Sequence, residues 1–109
     1  MTLAGWLDTR EPRPPRALTA RLRSALGDAL DRDAGEATTH CLAAGERLVR
    51  ELIAGQCTTR DVALDLLAAD ALMTYAFEAA GERPGSIATL AADAMNRIAA
   101  IAGAGRMAS

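Results

Sequence analysis

The chain has 109 residues, of which 50% are hydrophobic and only 3% aromatic, and its net charge is −2. This length supports one domain with one modest core, and an acidic balance is opposite to that of a general nucleic-acid binder. No uncharged apolar run is long enough to cross a membrane, and the first residues do not resemble a secretory signal. We therefore expect a cytoplasmic protein without nucleic-acid or membrane partners.

The apolar residues are mainly Ala and Leu, which favour helix, whereas the strand formers Val and Ile are sparse. This composition predicts an all-α fold. Each Ala contributes little apolar area to a core, so a chain of this size is a candidate for stabilisation by oligomerisation.

The N-terminal arm, residues 1–14, begins with a short helical turn in which Leu3, Trp6 and Leu7 share one face. So short a turn must dock on something. Either Trp6 docks on its own helices, or it anchors another subunit or a partner protein.

A Pro-rich and Arg-rich segment follows, residues 10–16, and its prolines favour an extended path. Five Arg and one Glu lie between Arg10 and Arg23. We interpret this charge as a solvated arm and helix start; a phosphate site is the alternative, although no Gly-rich cradle accompanies it.

Apolar periodicity predicts four main helices, at about residues 15–32, 36–54, 59–80 and 87–102. Gly55 suits a left-handed helix stop, Ser86 suits a cap, and residues 103–109 are expected to form a loose tail. The links are short and favour antiparallel neighbours, which predicts one domain, residues 1–109, folded as a four-helix bundle.

The two cysteines, Cys41 and Cys57, are about 20 Å apart along a helix axis, too far for a disulfide. We expect two free thiols, Cys41 in the core and Cys57 in a loop without a base near it in sequence. His40 lies off the apolar arc and is interpreted as a surface residue rather than a base or ligand. With the cysteines it would supply only three poorly placed ligands. We predict no metal, no cofactor and no catalytic residue.

The helix at 59–80 carries two apolar stripes and is the longest in the pattern. One stripe is Val62, Leu66, Met73 and Phe77, and the other is Leu64, Leu67, Ala68, Ala71 and Tyr75. A helix that is apolar on two sides is usually buried, but in so small a bundle the second stripe can face another subunit. Leu64 and Leu67, with Trp6, are therefore the interface candidates.

Asp70 lies beside the first stripe, where a carboxylate is costly unless it is paired. We expect Thr74 to donate to it, or an Arg of residues 10–23 to pair with it. It would then fix helix register or, alternatively, face a ligand in a pocket with Tyr75. Asp61 and Asp65 are one turn apart and predict a solvated acidic face, with a cation or acid–base site as the alternative.

The stretch from Asp61 to Glu82 has five acidic residues and no basic one, whereas the N-terminal arm is basic. We predict that these two regions lie close together, within one chain or across a dimer.

Residues 69–78, ADALMTYAFE, resemble the GDALLTLAFE helix of isoprenyl diphosphate synthases, and residues 44–48, AGERL, resemble that family's GGKRLRP segment. The resemblance implies an all-α enzyme that binds magnesium and diphosphate through DDxxD motifs. This chain has no DDxxD motif, Ala69 replaces the family's Gly, and the match covers about a tenth of the chain. We therefore do not transfer the activity.

The sequence thus predicts a small non-enzymatic helical bundle that forms a homodimer and contacts a partner protein. The alternative is a binder of a small apolar or anionic ligand in a pocket near Asp70.

Overall fold

The computed structural model describes the backbone of residues 1–55, 59–82 and 86–108, and the side chains of residues 1–55, 62–82 and 88–103. This part of the chain is helical and contains no strand, which confirms the predicted all-α class. The helices are α1 (Leu3–Leu7), α2 (Arg16–Leu26), α3 (Ala37–Ile53), α4 (Thr59–Gly81) and α5 (Ser86–Ala108).

Helices α3 and α4 form the most extensive contact of the bundle, and α2 and α5 each pack against both of them. The α3–α4 contact is lined mainly by small side chains. We call this set the small-residue seam: Cys41, Ala44, Gly45 and Leu48 on α3, with Ala68, Ala69, Leu72 and Ala76 on α4. Small residues let two helix backbones approach closely, so this face of α4 is buried in preference to faces with larger side chains.

Helix α2 ends six residues earlier than the periodicity predicts. Gly27 adopts a φ of 51°, a left-handed conformation that favours glycine. The chain continues through two short 3₁₀ helices, Gly27–Asp31 and Ala34–Glu36, before α3 begins. The left-handed stop predicted at Gly55 is present, with a φ of 70°.

The N-terminal arm is fastened to these 3₁₀ turns. The Leu3 amide donates to the Arg32 carbonyl over 2.8 Å, and the Ala34 amide donates to the Met1 carbonyl over 2.9 Å. Thr2 caps α1 by accepting from the Gly5 amide. Leu3 is fully buried in the core, so α1 is an integral part of the fold.

At the other end of the chain, α5 continues through Ala108. The loose tail predicted to begin at Gly103 is therefore helical up to that residue. Helix propensity explains the difference, because the Ala residues of this segment favour helix despite its two glycines. The predicted cap at Ser86 and the thiol of Cys57 lie outside the side chains that the structure describes.

Candidate functional site

Trp6 docks on its own chain, so of the two interpretations the intramolecular one is correct. Its ring is 5% exposed and meets Tyr75 edge-on, with ring centroids 6.3 Å apart and an interplanar angle of 88°. The indole Nε1 donates to Glu82 Oε1 over 3.2 Å. These contacts leave little of the ring for another subunit, and Trp6 is removed from the interface candidates.

Arg10 covers the other part of this aromatic pair. Its guanidinium carbon lies 4.1 Å from the Trp6 ring centroid, Nη1 donates to Glu78 over 3.2 Å, and Nη2 lies 3.8 Å from Glu82. The basic arm therefore lies against the acidic end of α4 within one chain, as the charge pattern predicts. The contacts of Arg10 are structural, because its charge is already neutralised.

Among the described side chains of α4, the buried acid is Asp65 and not Asp70. Asp65 is 3% exposed, and its Oδ1 accepts a hydrogen bond from Arg21 Nε of α2 over 2.5 Å. Arg21 also lies 3.7 Å from Glu51 of α3. The solvated acidic face predicted for Asp65 is wrong, because this residue lies in line with the small-residue seam. The side chain of Asp61 lies outside the described residues.

Asp70 is exposed, which corrects the expectation of a buried carboxylate. Thr74 does donate a hydrogen bond to Asp70, but the acceptor is the backbone carbonyl, at 3.0 Å, and not the side chain. Both residues lie on the side of α4 opposite the small-residue seam and are exposed to solvent. Neither residue lines a cavity described by the structure.

Tyr75 is the one pocket candidate that does line a cavity. The cavity has a volume of about 280 Å³ and lies between the arm, α2 and α4. Its walls are Leu7, Asp8, Arg13, Pro14, Arg16, Thr19, Leu22, Arg23 and Tyr75. Burial raises the pKa of Tyr75, the Glu78 carboxylate and Cys41 raise it further, and Arg10 opposes them. The hydroxyl therefore stays protonated at neutral pH and can donate a hydrogen bond.

A second feature is an apolar surface on the last two helices. We call it the outer apolar strip: Leu66 and Phe77 on α4, and Met95 and Ile98 on α5, which are 56%, 38%, 71% and 50% exposed. Leu67, an interface candidate, is 57% exposed on another side of α4, and Leu64 is half-buried. The first predicted stripe of α4, and not only the second, thus reaches solvent.

Cys41 and His40 are two further reactive groups whose side chains the structure describes. Cys41 is a free thiol in the core, and its burial raises its pKa from 9.0 to about 12. His40 is half-buried, with Nε2 3.3 Å from Glu36 Oε2. No group of three or more His, Cys, Asp or Glu residues in the described part of the chain is placed to hold a metal ion.

Helix α5 is tied to α3 by an ion-pair cluster around Glu46. The Glu46 carboxylate accepts from Arg50 over 3.0 Å and from Arg97 of α5 over 2.9 Å. The hydrogen bond from Arg50 lowers the pKa of Glu46 below 4.5; burial opposes this, and Arg97 adds to it. Arg97 also pairs with Asp93, one turn earlier, at 3.2 Å.

No family model matches this chain, and no match is found among curated proteins or solved structures. The resemblance of residues 69–78 to isoprenyl diphosphate synthases therefore stays a prediction from one helix. Among the described residues, no helix has both the length and the apolarity needed to cross a membrane.

Proposed function

We propose that this chain is a small non-enzymatic helical protein that self-associates as a homodimer through the outer apolar strip. The observation that carries the proposal is the exposure of Leu66, Phe77, Met95 and Ile98, each between 38% and 71%. Exposed apolar patches are typical of interaction surfaces, and we propose that these four side chains form one.

The strip follows the geometry of the two helices. Leu66 and Phe77 are eleven residues apart, which is three helical turns or about 16 Å along one face of α4. Met95 and Ile98 are one turn apart on α5 and lie on a shared side of that helix. Helices α4 and α5 pack against each other, so the two exposed rows belong to neighbouring helices.

The total accessible surface of the chain is larger than that expected of a folded monomer. The chain exposes 6750 Å², whereas a folded monomer of this mass is expected to expose roughly 5800 Å². Burying the strip would give the Ala-rich core the additional apolar contact that it lacks.

A second copy is the occupant that we propose, because a two-fold interface places the same strip of both copies together. Asp70 lies on this face of α4 between Leu66 and Phe77 and is exposed in the single chain. Two such carboxylates would be partly desolvated in the dimer, so Asp70 would limit its affinity. A neutral residue at this position should strengthen association.

Charge variants measured by light scattering test the proposal. Leu66→Glu and Met95→Glu should each convert the dimer to a monomer, because each inserts a carboxylate into the apolar contact. Ala43→Glu, on the exposed side of α3, adds the same charge outside the strip and should leave the dimer intact. Asp70→Asn should shift dissociation to lower protein concentration. Equal masses for wild type, Leu66→Glu and Met95→Glu would contradict this interface.

A further inference from the structure

The cavity beside Tyr75 is separate from the outer apolar strip, and self-association does not explain its chemistry. One part of its wall is apolar, formed by Leu7, Pro14, Leu22 and the Tyr75 ring. The other part is basic, because Arg13, Arg16 and Arg23 all line it and Asp8 is its only acidic residue. A cavity with an apolar floor and a few convergent polar groups is typical of small-molecule sites.

The charges of the wall are only partly neutralised. Arg23 Nη2 donates to Asp8 Oδ1 over 3.0 Å, and Arg13 Nη2 donates to the Asp8 backbone carbonyl over 3.4 Å. Arg16 makes no hydrogen bond or ion pair to any residue that the structure describes. The Thr19 hydroxyl donates a hydrogen bond to the Pro14 carbonyl over 3.3 Å. Among the ionised side chains of the wall, three cations thus face one anion.

The N-terminal end of helix α2 adds to the positive electrostatic potential of the cavity wall. It begins at Arg16 with no side-chain cap and no acidic residue in its first turn. The first backbone N–H groups of a helix have no partner within it, and they carry the positive end of the helix dipole. Arg16 and Thr19 both belong to this first turn and to the cavity wall, so the helix end reinforces the arginines.

Tyr75 adds a hydroxyl group to the residues that line this cavity. Tyr75 is 9% exposed, yet its hydroxyl has no hydrogen-bond partner in the described part of the chain. A buried tyrosine hydroxyl usually has such a partner. This hydroxyl is not among the polar atoms that are both buried and without a partner, so solvent reaches it and it can donate a hydrogen bond to a bound anion.

We propose that this cavity binds a small organic anion, a ring or short hydrocarbon that carries one carboxylate or phosphate group. The anionic group contacts Arg16, Arg13 and the start of α2, and the apolar body lies on Leu22 and the Tyr75 ring. Arginine binds both kinds of anion through paired hydrogen bonds. The size also fits, because a cavity of about 150 Å³ accommodates benzene and this one has about 280 Å³.

Isothermal titration at low ionic strength tests the proposal with four probes. Phenyl phosphate and benzoate carry a ring and an anion, benzyl alcohol carries the ring alone, and inorganic phosphate carries the anion alone. At least one ring anion should bind, one molecule per chain, roughly tenfold more tightly than either partial probe. The stronger of the two ring anions identifies phosphate or carboxylate as the preferred group.

Two conservative variants locate the binding. Arg16→Gln removes the unpaired guanidinium and should weaken the ring anion roughly tenfold, and Tyr75→Phe removes only the hydroxyl and should weaken it severalfold. Arg32→Gln is the matched control, because Arg32 is exposed, lies outside the cavity wall and carries the same charge. Circular dichroism checks that all three variants remain folded.

Three results would overturn the proposal. The first is that neither ring anion binds at millimolar concentration. The second is that inorganic phosphate binds as tightly as the ring anions. The third is that Arg32→Gln weakens binding of the ring anion as much as Arg16→Gln does. Each can be distinguished from failure of the dimer, because no residue of the outer apolar strip lines this cavity.

Discussion

Arg21 of α2 donates a hydrogen bond to the buried carboxylate of Asp65 on α4 over 2.5 Å. This contact connects α2 to the pair formed by α3 and α4. The side chain of Asp65 is only 5% exposed, whereas that of Arg21 is 26% exposed. A buried carboxylate is tolerated only when it is paired and hydrogen-bonded. The position of α2 therefore depends on this ion pair as well as on apolar packing.

The first prediction concerns this pair. Arg21→Ala should lower the free energy of unfolding by on the order of 3 kcal/mol, because it removes a cationic partner from a buried carboxylate. Urea unfolding followed by circular dichroism measures the change. Glu11→Ala removes an exposed carboxylate that has no ion pair among the described residues and should stay within about 0.5 kcal/mol of wild type. If the two variants are equally stable, Asp65 does not depend on Arg21.

The second prediction concerns Gly45, in the small-residue seam. A Cβ added there would lie 2.9 Å from Met73 Cε, the mobile end of a flexible side chain, and 3.5 Å from Leu72 Cβ. Gly45→Ala should therefore be close to neutral, because a gain in helix propensity of about 1 kcal/mol offsets the displacement of Met73.

A larger residue at the same position should separate the helices. Gly45→Leu should destabilise the fold by about 1–3 kcal/mol, whereas Ala43→Leu, on the exposed side of α3, should change stability little. Thermal unfolding of the three variants gives the comparison. Equal effects of Leu at positions 43 and 45 would show that close approach of α3 and α4 is not required.

The third prediction concerns the Cys41 thiol. Its pKa of about 12 keeps it protonated at pH values where ordinary thiols begin to ionise, and the thiolate is the reactive form. In the Cys57→Ser variant, Ellman's reagent should not modify Cys41 in the native protein, and modification should become fast in denaturant. Rapid reaction of the native variant would mean that Cys41 is not held in the core.

The same thiol predicts a loss of stability in alkali. The folded pKa lies above the unfolded value of 9.0, so the unfolded chain releases this proton first as the pH rises. The contribution of the protonated thiol to stability is complete below pH 9.0 and is lost between 9.0 and about 12. Cys41→Ala should remove this part of the alkaline dependence.

The fourth prediction concerns Glu46, which joins α3 to α5 through Arg97. Its folded pKa lies below the ordinary value of 4.5, so its contribution is present above that pH and is lost as the pH falls through the folded value. Glu46→Gln should lower stability by about 1 kcal/mol or less at neutral pH, and the difference from wild type should vanish in acid. Urea unfolding of wild type and Glu46→Gln, at neutral pH and in acid, measures this difference in stability.

The control for Glu46 is Glu11→Gln, which removes a carboxylate that has no ion pair among the described residues. It corrects for the change in net charge. A difference between wild type and Glu46→Gln that persisted unchanged in acid would show that the carboxylate acts through packing rather than through its charge.

The helical class and the attachment of the basic arm to α4 followed from the sequence, because composition and charge decide them. The buried face of α4 did not, since hydrophobic periodicity gives most weight to large residues such as Leu66 and Phe77. Packing against α3 favoured the smaller side chains in line with Asp65, and this placed Asp70 in water. The spacing of Asp65, Ala68, Ala69, Leu72 and Ala76 carried this signal.

The cavity also could not be predicted from the sequence. Its wall combines residues from the arm and α2 with Tyr75, more than fifty positions later, and only the docking of the arm brings them together. The arginines form a recognisable charge run in the sequence, but their position around one cavity with Tyr75 depends on tertiary structure.

Sedimentation equilibrium of the wild-type chain over a dilution series tests the central claim most directly. The proposed dimer predicts an average mass near twice the monomer mass of 11.4 kDa at tens of micromolar, decreasing towards that value on dilution. A mass of 11.4 kDa at every concentration would contradict self-association through the outer apolar strip.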